Sequence, residues 1–452
     1  MNLVHLVGDG LEVPCVDGAS RPYLSLDSAA STAALPAVAD RVTEFLPWYS
    51  SVHRGAGYKS QIATAAYEQA REAVLEFAGR SGPDDLAIIC RNTTEAINHL
   101  AYRLCLAPDD VVVTTVVEHH ANLLPWARVA RRRFVECGTE GTFALEAVVA
   151  VLDEEPGARL LAITGASNVT GWLPPVDEVI AAAHARGVPV LVDGAQLAAH
   201  RPLPQGADFL VFSGHKMYAP FGAGVLIGPR AAFEDGDPYL AGGGAVELVD
   251  LDEVVWTEPP EREEAGSPNV VGAVALGAAV GELARIGWPA IVEHDRSLAA
   301  ALLAGLAQIP GVRVLGPGSA ALPIASFVVD DVPYGLVAAR LSAEFGIGVR
   351  HGCFCAHPYL VRLLGLDPAE VEHFREAARR HDRSALPGAV RVSAGLATTG
   401  EDLGRFLRAL EVVAGETPRY AYEMDPATGD YWPRDFDRPD AAVGSRAGCS
   451  RS

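Results

Sequence analysis

Lysine is nearly absent from this chain of 452 residues: Lys59 and Lys216 are the two it has, and the remainder of its 36 basic residues are arginine. A chain so biased uses arginine wherever a positive charge suffices. A lysine kept in a chemically dense setting points to work a guanidinium cannot do, namely losing a proton and condensing with a carbonyl. Positive charge is short altogether. With 57 acidic residues against those 36, the formal charge is −21, which disfavours non-specific contact with nucleic acid or an anionic membrane. Neither is expected as a partner. Cysteine is sparse too: seven, unevenly placed, do not make the disulfide framework of a small secreted protein. Cys353 and Cys355 stand one residue apart with no Cys-x-x-Cys pair elsewhere, so a zinc site lacks its second half and no metal is expected. Long apolar runs are missing; Val270 to Val280 is soon ended by Glu282 and Arg285, well short of a membrane span. Met1 to Pro14 includes His5, Asp9 and Glu12 and does not read as a basic leader. A reducing cytoplasm is the expected setting.

What is present is a series of short β-branched runs separated by amphipathic stretches. Leu86–Cys90, Asp110–Thr114, Arg159–Thr164, Pro189–Asp193, Asp208–Phe212 and Gly224–Gly228 read as strands. Near-continuous apolar strands of this kind predict an α/β fold with a mostly parallel sheet covered on both faces. After Ser267-Pro-Asn269 the texture changes. Two long helices (Ala275–Arg285 and Ile291–Leu306) lead to strands Ile324–Val329 and Ala389–Ser393 and helices Tyr334–Phe345 and Pro368–His381, a smaller α+β unit closed by a helix over Gly400–Val413. The expected division is an N-terminal segment over 1–25 packing near the small domain, a large cofactor-binding domain over 26–290, a small C-terminal domain over 291–418 carrying the cysteine loop, and an acidic, aromatic tail over 419–452. The first half of that tail is expected to pack through Tyr420, Tyr422 and Trp432, and the last ten residues to be disordered.

Chemistry gathers at the strand ends, where α/β folds place ligands. Asp193 closes an apolar strand, a costly place for a carboxylate without a charged partner; a protonated pyridine nitrogen is one such partner, as in enzymes that bind a pyridoxal ring. Lys216 follows the next strand, with Ser213 and His215 in its loop. Thr93 and Thr94 open a helix and, with Ser213, suit a phosphate at its N-terminus. Glu118-His-His-Ala-Asn122 follows another strand, with His120 able to stack on a planar ring and Gln196 able to reach a ring hydroxyl. A strand-end aspartate alone can be a plain cap, and a lone histidine a core residue; their order along separate strands, together with the rare lysine, is what argues for pyridoxal phosphate.

Those residues carry a resemblance. Leu26-Asp-Ser-Ala-Ala-Ser31, His53-Arg-Gly55, Thr93-Thr-Glu-Ala-Ile-Asn98, Glu118-His-His-Ala-Asn122, Ser167-Asn-Val-Thr-Gly171, Asp193-Gly-Ala-Gln196, Ser213-Gly-His-Lys216 and Ala265-Gly-Ser-Pro-Asn269 resemble the class V aminotransferase family of fold-type I pyridoxal-phosphate enzymes, most of all its group-II, Suf-type cysteine desulfurases. The resemblance implies a large domain with a mostly parallel seven-stranded sheet and a pyridoxal 5′-phosphate cofactor. It implies Lys216 as the Schiff-base residue, Asp193 on the pyridine nitrogen, His120 over the ring and Gln196 at the 3′ oxygen. Thr93, Thr94, Ser213 and His215 would hold the phosphate, with Ser267 reaching it from the other subunit of a homodimer. Asn168 and Arg391 would take the carboxylate of a small amino-acid substrate, with His53 nearby.

In Arg350-His-Gly-Cys-Phe-Cys-Ala-His-Pro358 the resemblance makes Cys355 the nucleophile that accepts sulfur as a persulfide, releasing alanine from L-cysteine, with a sulfur-acceptor protein as an expected partner. Arg350, His351 and His357 are neighbours suited to a thiolate; the plain alternative is two small buried hydrophobes. The family's two histidines before this cysteine are replaced by Cys353 and Phe354, and Gly57 and Gly165 stand where the family often has histidine. Leu366 to Pro387 is longer than the usual connection. These departures lie on the substrate side, so a C–S lyase, epimerase or aminotransferase acting on a modified amino acid is the alternative reading.

Overall fold

The computed structural model describes residues 2–80, 82–384 and 386–439; the ten terminal residues expected to be disordered lie outside the described residues. The centre is a seven-stranded sheet in the order Asp85–Cys90, Gly224–Pro229, Phe209–Ser213, Val190–Asp193, Ala158–Thr164, Val111–Thr115, Arg131–Val135. Gly224–Pro229 runs antiparallel to both of its neighbours, and the remaining pairings are parallel. The inner strands are buried along their length, as in Val111-Val-Val-Thr-Thr115 and Phe209-Leu-Val-Phe-Ser213, because helices cover both faces. Helix Val270–Ile286 packs on helix Tyr58–Phe77 through an almost wholly apolar side.

Arg131–Val135 is a strand that the sequence pattern does not reveal, since three of its five residues are arginine. It lies at the sheet edge, where charge is tolerated and discourages further pairing. Arg131 pairs there with Glu155 (2.9 Å) and Arg133 with Glu154 (2.6 Å). The other expected strands and helices of the large sheet region form within a few residues of their expected limits.

Helix Trp288–Leu306 leads away to a second sheet, antiparallel throughout, in the order Val312–Leu315, Ile324–Val329, Ala389–Ser393, Arg350–Gly352. Its core is Phe327, Leu341, Val392 and Phe406, closed by helices Tyr334–Phe345 and Gly400–Gly415. The N-terminal segment joins this region: Leu24–Ser25 pairs with Ile347–Gly348 and Asp27 bridges to Ser393. Within the long connection, Pro368–Arg379 is a helix started by a reciprocal Asp367–Glu370 capping box and buried at Ala377 alone. The tail forms an antiparallel hairpin, Tyr422–Met424 with Tyr431–Pro433. It is fastened to helix Tyr334–Phe345 by Tyr422 Oη donating to Glu344 (3.0 Å). Among the described residues no single helix is long and apolar enough to cross a membrane; Val270–Ile286 and Trp288–Leu306 meet that measure together but bend by 82°.

Candidate active site

A cavity of about 780 Å³ is lined both by residues at the strand ends of the large sheet and by residues of the small domain, and Lys216 lies in its wall. The strand Phe209–Ser213 ends in one tight turn, Gly214–Lys216, which Thr32 fixes from outside. Thr32 N–H donates to the His215 carbonyl (2.8 Å), and Tyr218 N–H donates back to Thr32 Oγ1 (2.8 Å). Burial pulls the Lys216 ammonium down to about 8; Asp193 opposes the shift and Arg391 adds to it. A share of the amine is therefore unprotonated near neutrality, as a carbonyl-condensing lysine requires.

Asp193 is buried at the end of the adjacent strand and accepts from Ala195 N–H at Oδ1 (2.9 Å). Burial pushes its carboxyl up, with the backbone donor and Lys216 opposing. A buried carboxylate so lightly partnered, facing a cavity, fits a ring cation. Gln196 donates to the Ala29 carbonyl (2.6 Å) and lines the same wall. The floor is the start of helix Thr93–Arg103, where Ser213 Oγ accepts from Thr93 N–H and also meets Thr93 Oγ1, both at 2.7 Å. Asn92 caps that helix through Glu95 N–H (3.0 Å), and Thr94 and His215 face the cavity. Hydroxyls and a helix N-terminus together fit a phosphate. Gly224 makes the approach feasible: a Cβ there would stand 2.6 Å from Asn92 Cα, 2.8 Å from its carbonyl carbon and 3.0 Å from its nitrogen.

Of the two adjacent histidines, it is His119 that faces the cavity, where His120 was expected. His119 lines the cavity, and burial, helped by Lys216, holds it at about 3, a neutral ring. Its Nδ1 accepts from Ala121 N–H (3.0 Å), leaving the proton on Nε2. His120 does not line the cavity. Its ring stacks on His357 (5.2 Å between centroids, 12° between planes), its N–H donates to the Cys355 carbonyl (2.7 Å), and its Nε2 accepts from His357 N–H (3.2 Å). Beneath both, Glu118 is buried and takes donors from Thr115, Asn122 and Thr164; burial nonetheless pushes it up to about 8.

The cysteine loop is pinned at several points. Asn168 Nδ2 donates to the Phe354 carbonyl (2.9 Å), and the Arg391 guanidinium lies over the Phe354 ring (5.1 Å). Phe354 and Cys355 both take left-handed backbone (φ 55° and 54°), a strained arrangement for non-glycine residues that marks functional turns. Cys355 is exposed into the cavity and Cys353 half-buried at its wall. Arg391 is buried, donating to Asp27 Oδ1 (2.9 Å) and the Asn168 carbonyl (3.0 Å), while its Nε has no partner among the described residues.

Ten of the expected site residues therefore meet in one cavity: Thr93, Thr94, Asn168, Asp193, Gln196, Ser213, His215, Lys216, Cys355 and Arg391. His53 and Ser267 do not; they line a second cavity of about 350 Å³ with Arg54 and Glu264. There His53 pairs with Glu68 (2.9 Å), a bond that raises the imidazole against the effect of burial. Residues that sequence reasoning passed over are His119, whose signal was only its place beside His120, and Asp27, which occupies part of the Arg391 fork.

This fold and this strand-end constellation define a fold-type I pyridoxal-phosphate enzyme. The chain belongs to the aminotransferase class-V family, whose model matches residues 24–406, and members of that family depend on pyridoxal phosphate. The probable cysteine desulfurase of Halalkalibacterium halodurans is 38% identical over 351 residues, 75% of this chain and 85% of that protein. That of Vibrio cholerae is 35% identical over 403 residues, 86% of this chain and 93% of its own length. Among solved structures, the apo cysteine desulfurase of Thermococcus onnurineus NA1 is similar with a TM-score of 0.75 at 32% identity, covering 87% of this chain and 94% of that one. The cysteine desulfurase CsdA of Escherichia coli, in its S-sulfonic acid form, gives 0.72 at 33% identity, covering 86% and 94%.

Proposed function

We propose that the protein is a cysteine desulfurase that takes sulfur from L-cysteine onto Cys355 and releases alanine. The observation that carries this reading is the placement of Cys355 in the cavity of Lys216, on a loop held from the large sheet by Asn168 and His120. Pyridoxal phosphate, when bound, supplies the electron sink that lets a substrate Cα proton leave. Asp193 would hold the ring nitrogen, Gln196 the 3′ oxygen, His119 the ring face, and Thr93, Thr94, Ser213 and His215 the phosphate. Lys216, whose amine burial makes available for carbonyl condensation, would hold the cofactor and would be the base placed to move the Cα proton. Arg391 and Asn168 receive the substrate carboxylate, for which the Asp27 contact is the internal placeholder. Cys355 Sγ attacks the substrate sulfur; the carbon–sulfur bond breaks with its electron pair left on Cβ, which takes up a proton to become the methyl of alanine, and the sulfur stays on Cys355 as the outer sulfur of a persulfide.

A homodimer is part of the same reading. His53, Arg54 and Ser267 lie together at the rim of the second cavity, away from Lys216, which suits their acting on a partner's site. A cytoplasmic setting goes with it, and the six described cysteines are all free thiols.

The test is turnover of a panel of amino acids by the wild type and by Cys355→Ala. The expected result is alanine plus sulfide from cysteine in the wild type, with sulfide lost in the variant while the cofactor's spectral response to amino acids persists. Pyruvate, racemised substrate, or undiminished sulfide release from Cys355→Ala would move the protein to the lyase, epimerase or aminotransferase reading.

A further inference from the structure

The family model ends at residue 406, yet the tail beyond it returns to the cavity. The turn of the C-terminal hairpin places Thr428, Gly429 and Asp430 in the cavity wall. That turn is closed by Gly429 N–H donating to the Asp425 carbonyl (2.7 Å) and Asp425 N–H to the Asp430 carbonyl (2.9 Å). It is seated on the small domain: the Gly429 carbonyl lies 2.9 Å from where a Cβ on Gly335 would stand, and Asp430 pairs with His351 (3.2 Å). The end of the long connection meets it, with Arg383 N–H donating to the Pro426 carbonyl (3.2 Å) and Leu386 accepting from Tyr334 Oη (3.0 Å). The entrance beside Cys353 and Cys355 is thus bounded by two segments, hairpin turn and connection, that do not belong to the cofactor cradle.

The charges on this entrance are distinctive. Asp430 is engaged by His351, and Asp27 by Arg391. Arg383 is exposed, lines the cavity, and makes no side-chain ion pair among the described residues. Arg350 is about half exposed, with its nearest carboxylate, Asp27, at 3.9 Å. In a chain of net charge −21, two lightly partnered arginines at one cavity mouth do not follow from the general surface composition. They supply a local attraction for an anion that the whole molecule would otherwise repel.

Resting on the desulfurase reading, we propose that the sulfur on Cys355 is taken by a small thiol carrying carboxylates, admitted at the cavity mouth that Arg350, Arg383 and the hairpin turn together line. The acceptor thiolate attacks the outer sulfur of the Cys355 persulfide. A new sulfur–sulfur bond forms on the acceptor, the bond to Cys355 Sγ breaks, and Cys355 leaves as a thiolate. The persulfide proton goes with the transferred sulfur, so the acceptor thiolate and the Cys355 persulfide become an acceptor persulfide and the Cys355 thiolate. No outside oxidant or reductant is needed. Charge at the rim sets the encounter rate and its salt dependence more than the chemistry itself.

The test uses holoenzyme charged with one equivalent of L-cysteine, then mixed with mercaptosuccinate (dianionic), 2-mercaptoethanol (neutral) or cysteamine (cationic), reading sulfur loss from Cys355 by mass. For the wild type, the ratio of the mercaptosuccinate rate to the 2-mercaptoethanol rate is expected to fall as salt rises. Arg383→Ala should lower that ratio roughly tenfold, and Asp430→Asn should raise it. A ratio indifferent to salt and to both substitutions overturns the inference, as does a persulfide that all three thiols leave untouched but that a folded acceptor protein discharges. Alanine released during charging is the separate check: if none appears, it is the desulfurase reading that has failed.

Discussion

Two adjacent histidines with the same sequence credentials have different duties. His119 faces the cavity as a neutral ring, while His120 is spent on the cysteine loop through its stack on His357 and its bond to the Cys355 carbonyl. His119→Ala should therefore weaken cofactor retention and alter the visible spectrum of the holoenzyme, since stacking on an aromatic face is worth about 0.5–1.5 kcal/mol. His120→Ala should leave that spectrum in place and slow sulfur capture by Cys355, read as alanine and persulfide formed in a single turnover. Equal spectral effects from the two would refute the division. A period-based reading has no means to separate them, because the direction of each ring is set by the one-turn helix His120–Asn122 and by a loop more than two hundred residues away in sequence. Lys216 and Asp193 were legible because each is chemically out of place in its surroundings, a rare amine and a carboxylate ending an apolar strand.

At the scale of elements, the phosphate floor depends on two pieces of backbone approaching each other. The antiparallel strand Gly224–Pro229 lies between Asp85–Cys90 and Phe209–Ser213, and its first residue presses on the backbone of the Asn92 cap. Gly224→Ala would place a methyl 2.6 Å from Asn92 Cα, with backbone on the other side to yield instead of a flexible side chain. The expected cost is about 1–3 kcal/mol of stability, and a drop in cofactor affinity of roughly tenfold as the helix start is displaced. Equilibrium dialysis and thermal unfolding measure both; Gly157→Ala, with open space around the added methyl, is the control expected to change neither. The inner strands of the sheet were readable from their unbroken apolar character. The charged edge strand Arg131–Val135 and the three-residue Arg350–Gly352 were not, since one is stabilised by glutamates on a neighbouring helix and the other by pairing with Ala389–Ser393. Both depend on partners distant along the chain.

For the whole molecule, the second cavity and the apolar surface beside it point to one arrangement. The hairpin Val246–Val249 with Val254–Trp256 presents Leu248, Val249, Val254 and Val255 to solvent, and Leu251 at its tip is fully exposed. Leu248 with Val255 and Val249 with Val254 lie on opposite faces of this two-stranded ribbon, so both faces expose apolar side chains, as at an interaction site. Arg54 donates to the Val246 carbonyl (2.6 Å), tying the hairpin to the cavity that His53 and Ser267 line. If a second copy covers this hairpin and Ser267 serves the partner's phosphate, assembly and cofactor binding are linked: whatever weakens the dimer must weaken cofactor retention by the same coupling free energy. Leu248→Glu combined with Leu251→Glu places charge on the hairpin without touching Lys216, Asp193 or the helix start at Thr93. Sedimentation velocity is expected to show monomer at concentrations where the wild type is a dimer, and the doubly substituted protein should lose pyridoxal phosphate on dialysis faster than the wild type. Monomer that retains cofactor as the wild type does would remove Ser267 from the phosphate site while leaving the dimer, and an unchanged dimer would assign the exposed hairpin to another partner.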